Sequence, residues 1–303
     1  MWFKRTFAMP LNRWYYSGFG RREFNEDGID IFEEDWDNLL ILDACRYDTF
    51  EKIHDLPGTL SKRESRASTT PEFIRANIHA ADLRDTVYVT STPQIHNHDD
   101  VEHSFHRIID VWDGEWDDGL GTVPPGAVAQ AAVDAHEQYP NKRLLVHFLQ
   151  PHYPFIGEVG QEHFDYEKVS LGTGTSANDG SEKFWDTVGT VINDVSEDVV
   201  WKAYEENLRV ALPHVERLLT ELRGKTVVTA DHGEMIYDRA RPIPIQVNGH
   251  PGGLYTSELI EVPWHSYTNG SRRRISSQAE TDGRSAEVDQ EVVEERLRDL
   301  GYT

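Results

Sequence analysis

The stretch KTVVTADHGE, residues 225–234, indicates how this chain folds. Its first half is a short apolar run preceded by Gly224, which is typical of a strand buried within a parallel sheet. Its second half puts Asp231 and His232 directly after that strand, in a polar turn. We therefore expect a buried strand whose carboxyl end carries two polar side chains that can bind a metal ion.

Two other apolar runs are followed by polar residues in the same way. NLLILD, residues 38–43, ends in an aspartate, and RLLVHFL, residues 143–149, is followed by QPH, residues 150–152. Helical patterns lie between these runs, and the longest spans residues 197–223. This alternation predicts an α/β fold with a mostly parallel central sheet sandwiched by helices. Ligands of such sheets bind outside the carboxyl ends of the strands, so these polar residues should meet on one rim.

The residues expected on this rim suit metal-assisted chemistry. Two carboxylates, Asp43 and Asp231, and one imidazole suit Mn²⁺, Zn²⁺ or Mg²⁺ better than an all-oxygen Ca²⁺ cage. STTPE, residues 68–72, is typical of a helix start, with hydroxyl caps followed by proline. A hydroxyl there can bind a cation, lose its proton and attack an ester. Thr69 fits that position, and Ser68 and Thr70 are alternatives.

With these motifs in order over residues 38–264, the chain resembles the alkaline phosphatase/sulfatase superfamily, in its sulfatase-like branch of halophilic archaeal type. The resemblance lies in five motifs and a strand start: LDACRYD (42–48), TTP (69–71), PHYPF (151–155), TADHGE (229–234), GHPG (249–252) and VPW (262–264). It implies an alkaline-phosphatase-like fold and a covalent threonyl intermediate. It also implies one divalent metal ion, with Mn²⁺ or Zn²⁺ favoured and Mg²⁺ or Ca²⁺ possible. The metal ligands would be Asp43, Thr69, Asp231 and His232, and the ester oxygens would contact His152 and His250.

The chain also departs from the pattern of true sulfatases. These enzymes oxidise Cys or Ser in a Cys-x-Pro-x-Arg segment to formylglycine, but Thr69 and Phe73 stand at the first and last of those positions. Threonine cannot give that aldehyde, so we expect phosphoesters to be preferred over sulfate esters. The alternatives are a sulfuric ester hydrolase and an inactive family member that acts as a binding or scaffold protein. Arg46 is expected either to contact substrate or to pair with a neighbouring carboxylate.

The resemblance and the composition together divide the chain into three parts. We expect an N-terminal extension over residues 1–36, a catalytic domain over residues 37–270, and a polar linker with a C-terminal helix over residues 271–303. Residues 157–196 are rich in Gly, Ser, Thr, Asp and Asn, which favours an insertion or lid. The expected substrate is a small-molecule, glycan or lipid-headgroup ester, which is either hydrolysed or transferred to an acceptor.

The charge balance excludes other partners. The chain has 53 acidic residues against 30 basic ones, a net charge of −23, and only 8 of the basic residues are lysines. This field repels nucleic acid and anionic membranes, and scarce lysine favours adaptation to high salt. No stretch approaches the ~20 apolar residues of a transmembrane helix. The segment through Tyr16 is expected to pack on the body, and contact with a membrane surface is the alternative. The lone Cys45 excludes an internal disulfide, and a cytoplasmic location is expected.

Overall fold

The computed structural model describes residues 7–98, 100–164, 184–185, 188, 195–278 and 289–300. The strands in these ranges are β1 (Asn38–Leu42), β2 (Thr59–Glu64), β3 (Thr86–Thr90), β4 (Arg107–Asp110), β5 (Arg143–Phe148), β6 (Gly224–Thr229) and β7 (Glu261–Asn269). They form one sheet in the order β2-β7-β6-β1-β5-β3-β4. The strands from β6 to β4 are parallel, and β7 is antiparallel to β6 and β2.

Helices cover both faces of this sheet. They are α1 (Met9–Tyr16), α2 (Tyr47–Ile53), α3 (Thr70–Asn77), α4 (Pro125–Gln138), α5 (Glu158–His163), α6 (Glu197–Glu221), α7 (Ser257–Ile260) and α8 (Gln290–Leu300). On one face, Leu40 and Leu42 pack in a core with α2, α4, α6 and α8. On the other face, Leu39 and Ile41 pack with α3. The predicted α/β fold, with a mostly parallel sheet sandwiched by helices, is confirmed.

The central strands are those that carry the continuous apolar runs. Strand β1 lies between β5 and β6, and all five of its residues are buried. Its register aligns Leu42 with Phe148 of β5 and Ile41 with Thr229 of β6. The three strands therefore end at nearly the same level, and the residues that follow them share one rim.

The antiparallel edge was only partly predicted. The sequence predicts a strand start at VPW, residues 262–264, and these residues lie in β7. The polar run TLSKRE predicts no strand, but it forms β2. In β2 the side chains are exposed or half-buried, because this strand lies at the sheet edge. Of residues 157–196, the structure describes residues 157–164, which include α5, together with Phe184, Trp185, Val188 and residues 195–196. The rest of the predicted insertion lies outside the described residues. In the part of the chain that the structure describes, no helix combines the length and apolar character needed to cross a membrane.

Candidate metal centre and active site

The residues that follow β1, β5 and β6 meet on one rim, as the sequence predicts. Asp43 follows β1, His152 follows β5, and Asp231 and His232 follow β6. All four side chains are fully buried. Because β6, β1 and β5 are neighbours in the sheet, these residues are brought together by the strand order rather than by loops.

Asp231 is held by several donors. Its Oδ1 accepts hydrogen bonds from the backbone N–H groups of Ala44 at 3.1 Å and His232 at 2.9 Å. Its Oδ2 accepts one from the Thr70 hydroxyl at 2.8 Å. Burial raises the pKa of the Asp231 carboxyl, but the nearby His232 and His147 rings and the Thr70 hydrogen bond outweigh it and leave the pKa lowered. Asp231 is therefore a carboxylate at neutral pH.

His232 presents one ring nitrogen to the carboxylates. Its Nδ1 lies 2.8 Å from the Gly233 carbonyl oxygen, to which an Nδ1–H donates. The lone pair of Nε2 then faces Asp231 Oδ2 at 3.4 Å and Asp43 Oδ1 at 3.7 Å. Burial lowers the pKa of His232 to about 4. The imidazole is therefore neutral at neutral pH, which is the form that binds a metal ion.

These three side chains form a donor set that fits a divalent cation. The ligand atoms of Asp43, Asp231 and His232 lie within 4.8 Å of one another. Two buried carboxylates at this separation repel each other in a medium of low dielectric, and a cation between them offsets that repulsion. Two oxygen donors and one nitrogen donor suit a divalent cation such as Zn²⁺ or Mn²⁺. A hydroxyl oxygen would complete a four-ligand site.

The hydroxyls of the two residues before α3 serve that helix. Ser68 donates its hydroxyl to Glu72 Oε2 at 2.8 Å. Thr69 is the N-cap residue, with extended backbone torsions, and its Oγ1 accepts a hydrogen bond from the Glu72 N–H at 3.2 Å. An N-cap side chain satisfies a backbone donor of the first turn and so folds back onto its own helix. Neither hydroxyl points toward the metal-ligand cluster.

Thr70, the first residue of α3, carries the hydroxyl that reaches the cluster. Its Oγ1 lies 2.8 Å from Asp231 Oδ2, 3.3 Å from His232 Nε2 and 3.4 Å from Asp43 Oδ2. Thr69, the residue predicted as a metal ligand, lies one position earlier and caps the helix. Of the three candidate hydroxyls at the start of α3, the geometry supports that of Thr70.

A second group of potential metal ligands adjoins the first and consists of His152, Glu234 and His250. His250 Nδ1 lies 3.1 Å from Glu234 Oε1. The His250 ring is centred 4.7 Å from that of His232 and 5.0 Å from that of His152. The structure thus brings both predicted histidines to the site. It adds Glu234, which the sequence analysis quoted in the TADHGE motif without assigning it a role.

Burial shifts the pKa values of this second group toward neutral forms. It raises the pKa of the Glu234 carboxyl, against the opposing effect of the adjacent His250. It lowers the pKa of His152 well below its ordinary value, and the nearby rings of His250 and His232 add to the shift. His152 is therefore neutral at neutral pH, and it can accept a hydrogen bond or bind a metal ion.

His147, in β5, is a site residue that the sequence analysis did not single out. Its Nδ1 lies 2.9 Å from the Tyr88 hydroxyl oxygen. Its Nε2 lies 3.7 Å from Asp43 Oδ2 and 3.9 Å from Asp231 Oδ2. This nitrogen is fully buried and has no hydrogen-bond partner among the described residues. The sequence feature that could have indicated this role is an imidazole near the end of an otherwise apolar, buried strand.

Arg46 connects two of the turns that build the site. Its guanidinium contacts Asp48 at 2.6 Å, Asp238 at 2.6 Å and the Glu234 carbonyl oxygen at 3.0 Å. Of the two predicted roles, this geometry supports pairing with neighbouring carboxylates. Cys45 is fully buried, and burial raises the pKa of its thiol.

Aromatic side chains from the predicted insertion pack on residues adjacent in sequence to the two site histidines. Phe184 stacks on Tyr153, next to His152, with ring centroids 4.2 Å apart. Trp185 packs directly on Gly249, which has a φ of +83° and no Cβ to keep the indole away. The insertion therefore packs against the turns that carry His152 and His250.

The chain matches no family model and no curated protein sequence. In three dimensions it is similar to the C-terminal periplasmic domain of EcEptC from Escherichia coli in complex with Zn, with a TM-score of 0.44 and 13% identity over 81% of this chain and 75% of that chain. It is also similar to the C-terminal periplasmic domain of phosphoethanolamine transferase EptC from Campylobacter jejuni, with a TM-score of 0.46 and 10% identity over 77% and 78% of the two chains. A third similar structure is the integral membrane protein lipooligosaccharide phosphoethanolamine transferase A from Neisseria meningitidis, with a TM-score of 0.44 and 11% identity over 86% of this chain and 54% of that chain. Similarities at these identities and TM-scores assign no activity to this chain.

Proposed function

We propose that the protein is a metal-dependent enzyme that acts on phosphate esters and uses Thr70 as its nucleophile. The observation that carries this proposal is the hydrogen bond of the Thr70 hydroxyl to Asp231, inside a buried cluster of metal-ligand side chains. Thr70 begins α3, whose N-terminus carries the positive end of the helix dipole. A nucleophile, a cation site and a place for an anionic group therefore coincide.

The reaction follows from this arrangement. A cation held by Asp43, Asp231 and His232, with Mn²⁺ or Zn²⁺ favoured, would lower the pKa of the Thr70 hydroxyl. The ionised Thr70 oxygen then attacks phosphorus, the bond from phosphorus to the leaving oxygen breaks, and a threonyl phosphate forms. Water or an acceptor alcohol releases the phosphoryl group in a second step.

The second group of side chains supports both steps. His152 and His250 lie beside the cluster and would contact the ester oxygens. His250 is held by Glu234 at 3.1 Å, which orients its ring for donating a proton to the leaving oxygen. Burial raises the pKa of the Glu234 carboxyl beside that ring, against the opposing effect of His250.

Sulfate esters are the less favoured substrates. Formylglycine forms from cysteine or serine. Neither Thr69 nor Thr70 can be converted to it. Cys45 is fully buried, and its thiol is 3.8 Å from the Arg46 carbonyl oxygen rather than in the ligand cluster. The geometry therefore favours direct attack by the Thr70 hydroxyl on a phosphoester.

Turnover of three chromogenic esters tests this function. The substrates are p-nitrophenyl phosphate, bis-p-nitrophenyl phosphate and p-nitrophenyl sulfate, each with Mn²⁺, with Zn²⁺ and with a chelator. We expect metal-dependent release of p-nitrophenol from a phosphate substrate and much slower release from the sulfate. Turnover that survives complete removal of metal would refute the proposal, and so would a clear preference for the sulfate.

A further inference from the structure

Within the described residues, the exposed large apolar side chains all lie in one short segment, residues 7–19. Their exposed fractions are 47% for Phe7, 48% for Leu11, 52% for Trp14, 53% for Tyr15 and 59% for Phe19. Scattered apolar residues on a protein surface need no explanation, but a contiguous patch marks an interaction site. We refer to these five residues as the aromatic patch.

Helix α1 has apolar side chains on two faces, since Met9 and Tyr16 pack against a buried apolar cluster while a second apolar face is exposed. Asn12 is fully buried, donates its Nδ2 to the Ile243 carbonyl at 3.0 Å and accepts from the Ile243 N–H at 2.8 Å. Leu11, Trp14 and Tyr15 have the spacing of one helical face and are exposed. An ordinary surface helix buries its apolar face and exposes its polar one. The second apolar face of α1, formed by Leu11, Trp14 and Tyr15, is exposed and is therefore left for a partner.

The turn after α1 extends the patch. Phe19 has a φ of +64° and lies between Gly18 and Gly20, which also have positive φ. The Phe19 N–H donates to the Trp14 carbonyl at 2.9 Å, and the two rings meet edge to face with centroids 4.6 Å apart. The turn thus holds Phe19 beside Trp14 although both rings remain exposed.

The charged residues within the segment that carries the patch are opposite in sign to the net charge of the whole chain. No Asp or Glu precedes Glu23. Arg13 and Arg21 are exposed, whereas Arg22 pairs with Asp27 at 2.9 Å. Electrostatic fields of exposed charges decay over ~10 Å at 0.1 M salt. The local arginines, and not the net charge of −23, therefore determine what approaches this face.

We propose that α1 and the turn through Phe19 form a docking surface for an anionic lipid bilayer. Aromatic side chains favour the headgroup level of a membrane, and arginines beside them are attracted to anionic lipids. A second copy of this chain is a poorer partner. A symmetric contact through the patch would bring Arg13 and Arg21 of both copies together.

The patch lies close to the rim of the candidate active site. The Arg13 side chain packs against Gly253, whose N–H donates to Glu72 of α3 at 2.6 Å. The helix that begins at Thr70 is therefore one contact away from α1. Docking through the patch would bring the rim near lipid headgroups, but the docking itself does not depend on the proposed function.

Sedimentation of the full chain together with lipid vesicles tests the proposal. The vesicles are phosphatidylcholine with and without phosphatidylglycerol, at ~0.1 M and ~1 M KCl, where the Debye lengths are ~10 Å and ~3 Å. We expect binding to the phosphatidylglycerol vesicles that weakens at the higher salt. Trp14→Ser/Phe19→Ser and Arg13→Gln/Arg21→Gln should each weaken binding by at least about tenfold. Arg209→Gln/Arg223→Gln, at two exposed arginines on and just after α6, is the charge-matched control and should bind like wild type.

Three results would overturn the proposal. The first result is that wild type does not bind phosphatidylglycerol vesicles. The second is that Trp14→Ser/Phe19→Ser binds them as tightly as wild type does. The third result is a wild type that is a dimer in light scattering and does not bind vesicles, while the double variant is a monomer. This result would assign the patch to contact with a second copy of the chain. Turnover of a soluble p-nitrophenyl ester should be the same in wild type and in the double variant. Failure of docking is thereby distinguished from failure of the proposed activity.

Discussion

The hydroxyl oxygen of Thr70 lies 2.8 Å from Oδ2 of Asp231, although 161 positions separate the two residues in the chain. The contact joins the start of α3 to the end of β6. Of the three hydroxyls of residues 68–70, only that of Thr70 faces the buried carboxylates. The contact places this hydroxyl within reach of any cation that the carboxylates bind. The account of the site depends on this contact.

The first prediction concerns metal binding. Asp231→Asn should lose the bound cation, because it removes one of two carboxylates and leaves a weaker neutral donor. We expect about one equivalent of metal per wild-type chain after dialysis, measured by elemental mass spectrometry, and much less in the variant. Added Zn²⁺ or Mn²⁺ should raise the melting temperature of wild type but not of Asp231→Asn.

The matched control for this experiment is Asp82→Asn. Asp82 pairs with Arg84 on the surface at 2.6 Å, so the substitution removes the same charge outside the site. It should leave the metal content unchanged. Two equivalents in wild type would show that His152, Glu234 and His250 hold a cation as well, and equal metal in wild type and Asp231→Asn would contradict the assignment of the first site.

The second prediction concerns His147. The Tyr88 hydroxyl can donate to Nδ1, which leaves a proton on the Nε2 that faces Asp43 and Asp231. His147→Gln should lower cation affinity by about 10- to 100-fold, the usual effect of losing a group that supports metal ligands. Tyr88→Phe should have a smaller effect in the same direction. Competition with a chelating dye measures both, and unchanged affinity in His147→Gln would remove this residue from the account.

The third prediction concerns acid stability. Burial lowers the pKa of His136 from its ordinary 6.5 to about 4, and its Nε2 accepts from the Arg223 N–H at 3.2 Å. Because the unfolded chain takes up this proton first, stability should fall as the pH drops from about 6.5 to about 4. The loss from this group is at most about 3 kcal/mol, less because the ring is partly exposed.

His136→Gln keeps an acceptor for the Arg223 N–H but does not titrate. Its free energy of unfolding, measured by urea denaturation at several pH values, should therefore fall less between pH 6.5 and pH 4 than that of wild type. Parallel curves for the two proteins would show that His136 does not contribute to acid unfolding.

The fourth prediction concerns salt. With a net charge of −23, repulsion among carboxylates should destabilise the fold at low ionic strength. The Debye length shrinks from ~30 Å at 0.01 M to ~3 Å at 1 M salt, so the melting temperature should rise steeply with KCl over that range. A melting temperature that does not change with KCl would contradict adaptation to high salt. It would not bear on the assignment of the metal site.

The central fold could be predicted because its strands are continuous apolar runs. β1, β5 and β6 are buried on both faces, and the polar residue that ends each run marks the rim. The edge strand β2 has no such run, since its side chains are exposed or half-buried. Its pairing with β7 follows from position in the folded sheet, which local sequence does not determine.

The hydroxyl that we propose as the nucleophile, that of Thr70, lies one residue after Thr69, which the sequence favours, and is one of the two alternatives. Thr69 and Thr70 are the same residue type in adjacent positions, and both suit a helix start. Which hydroxyl caps the helix and which faces the carboxylates depends on the angle at which α3 meets the sheet. That angle is set by packing of Phe73 and Ile74 in the core, which the motif does not encode.

The most direct test of the account is the site of covalent modification. Wild type, Thr69→Ala and Thr70→Ala are mixed with a phosphate ester that the enzyme turns over, quenched in acid, and analysed by intact mass and peptide mapping. We predict a phosphoryl group on Thr70 in wild type and in Thr69→Ala, and none in Thr70→Ala, whose turnover should fall by at least ~10³-fold. A phosphoryl group on Thr69 or Ser68, or full turnover by Thr70→Ala, would contradict the account.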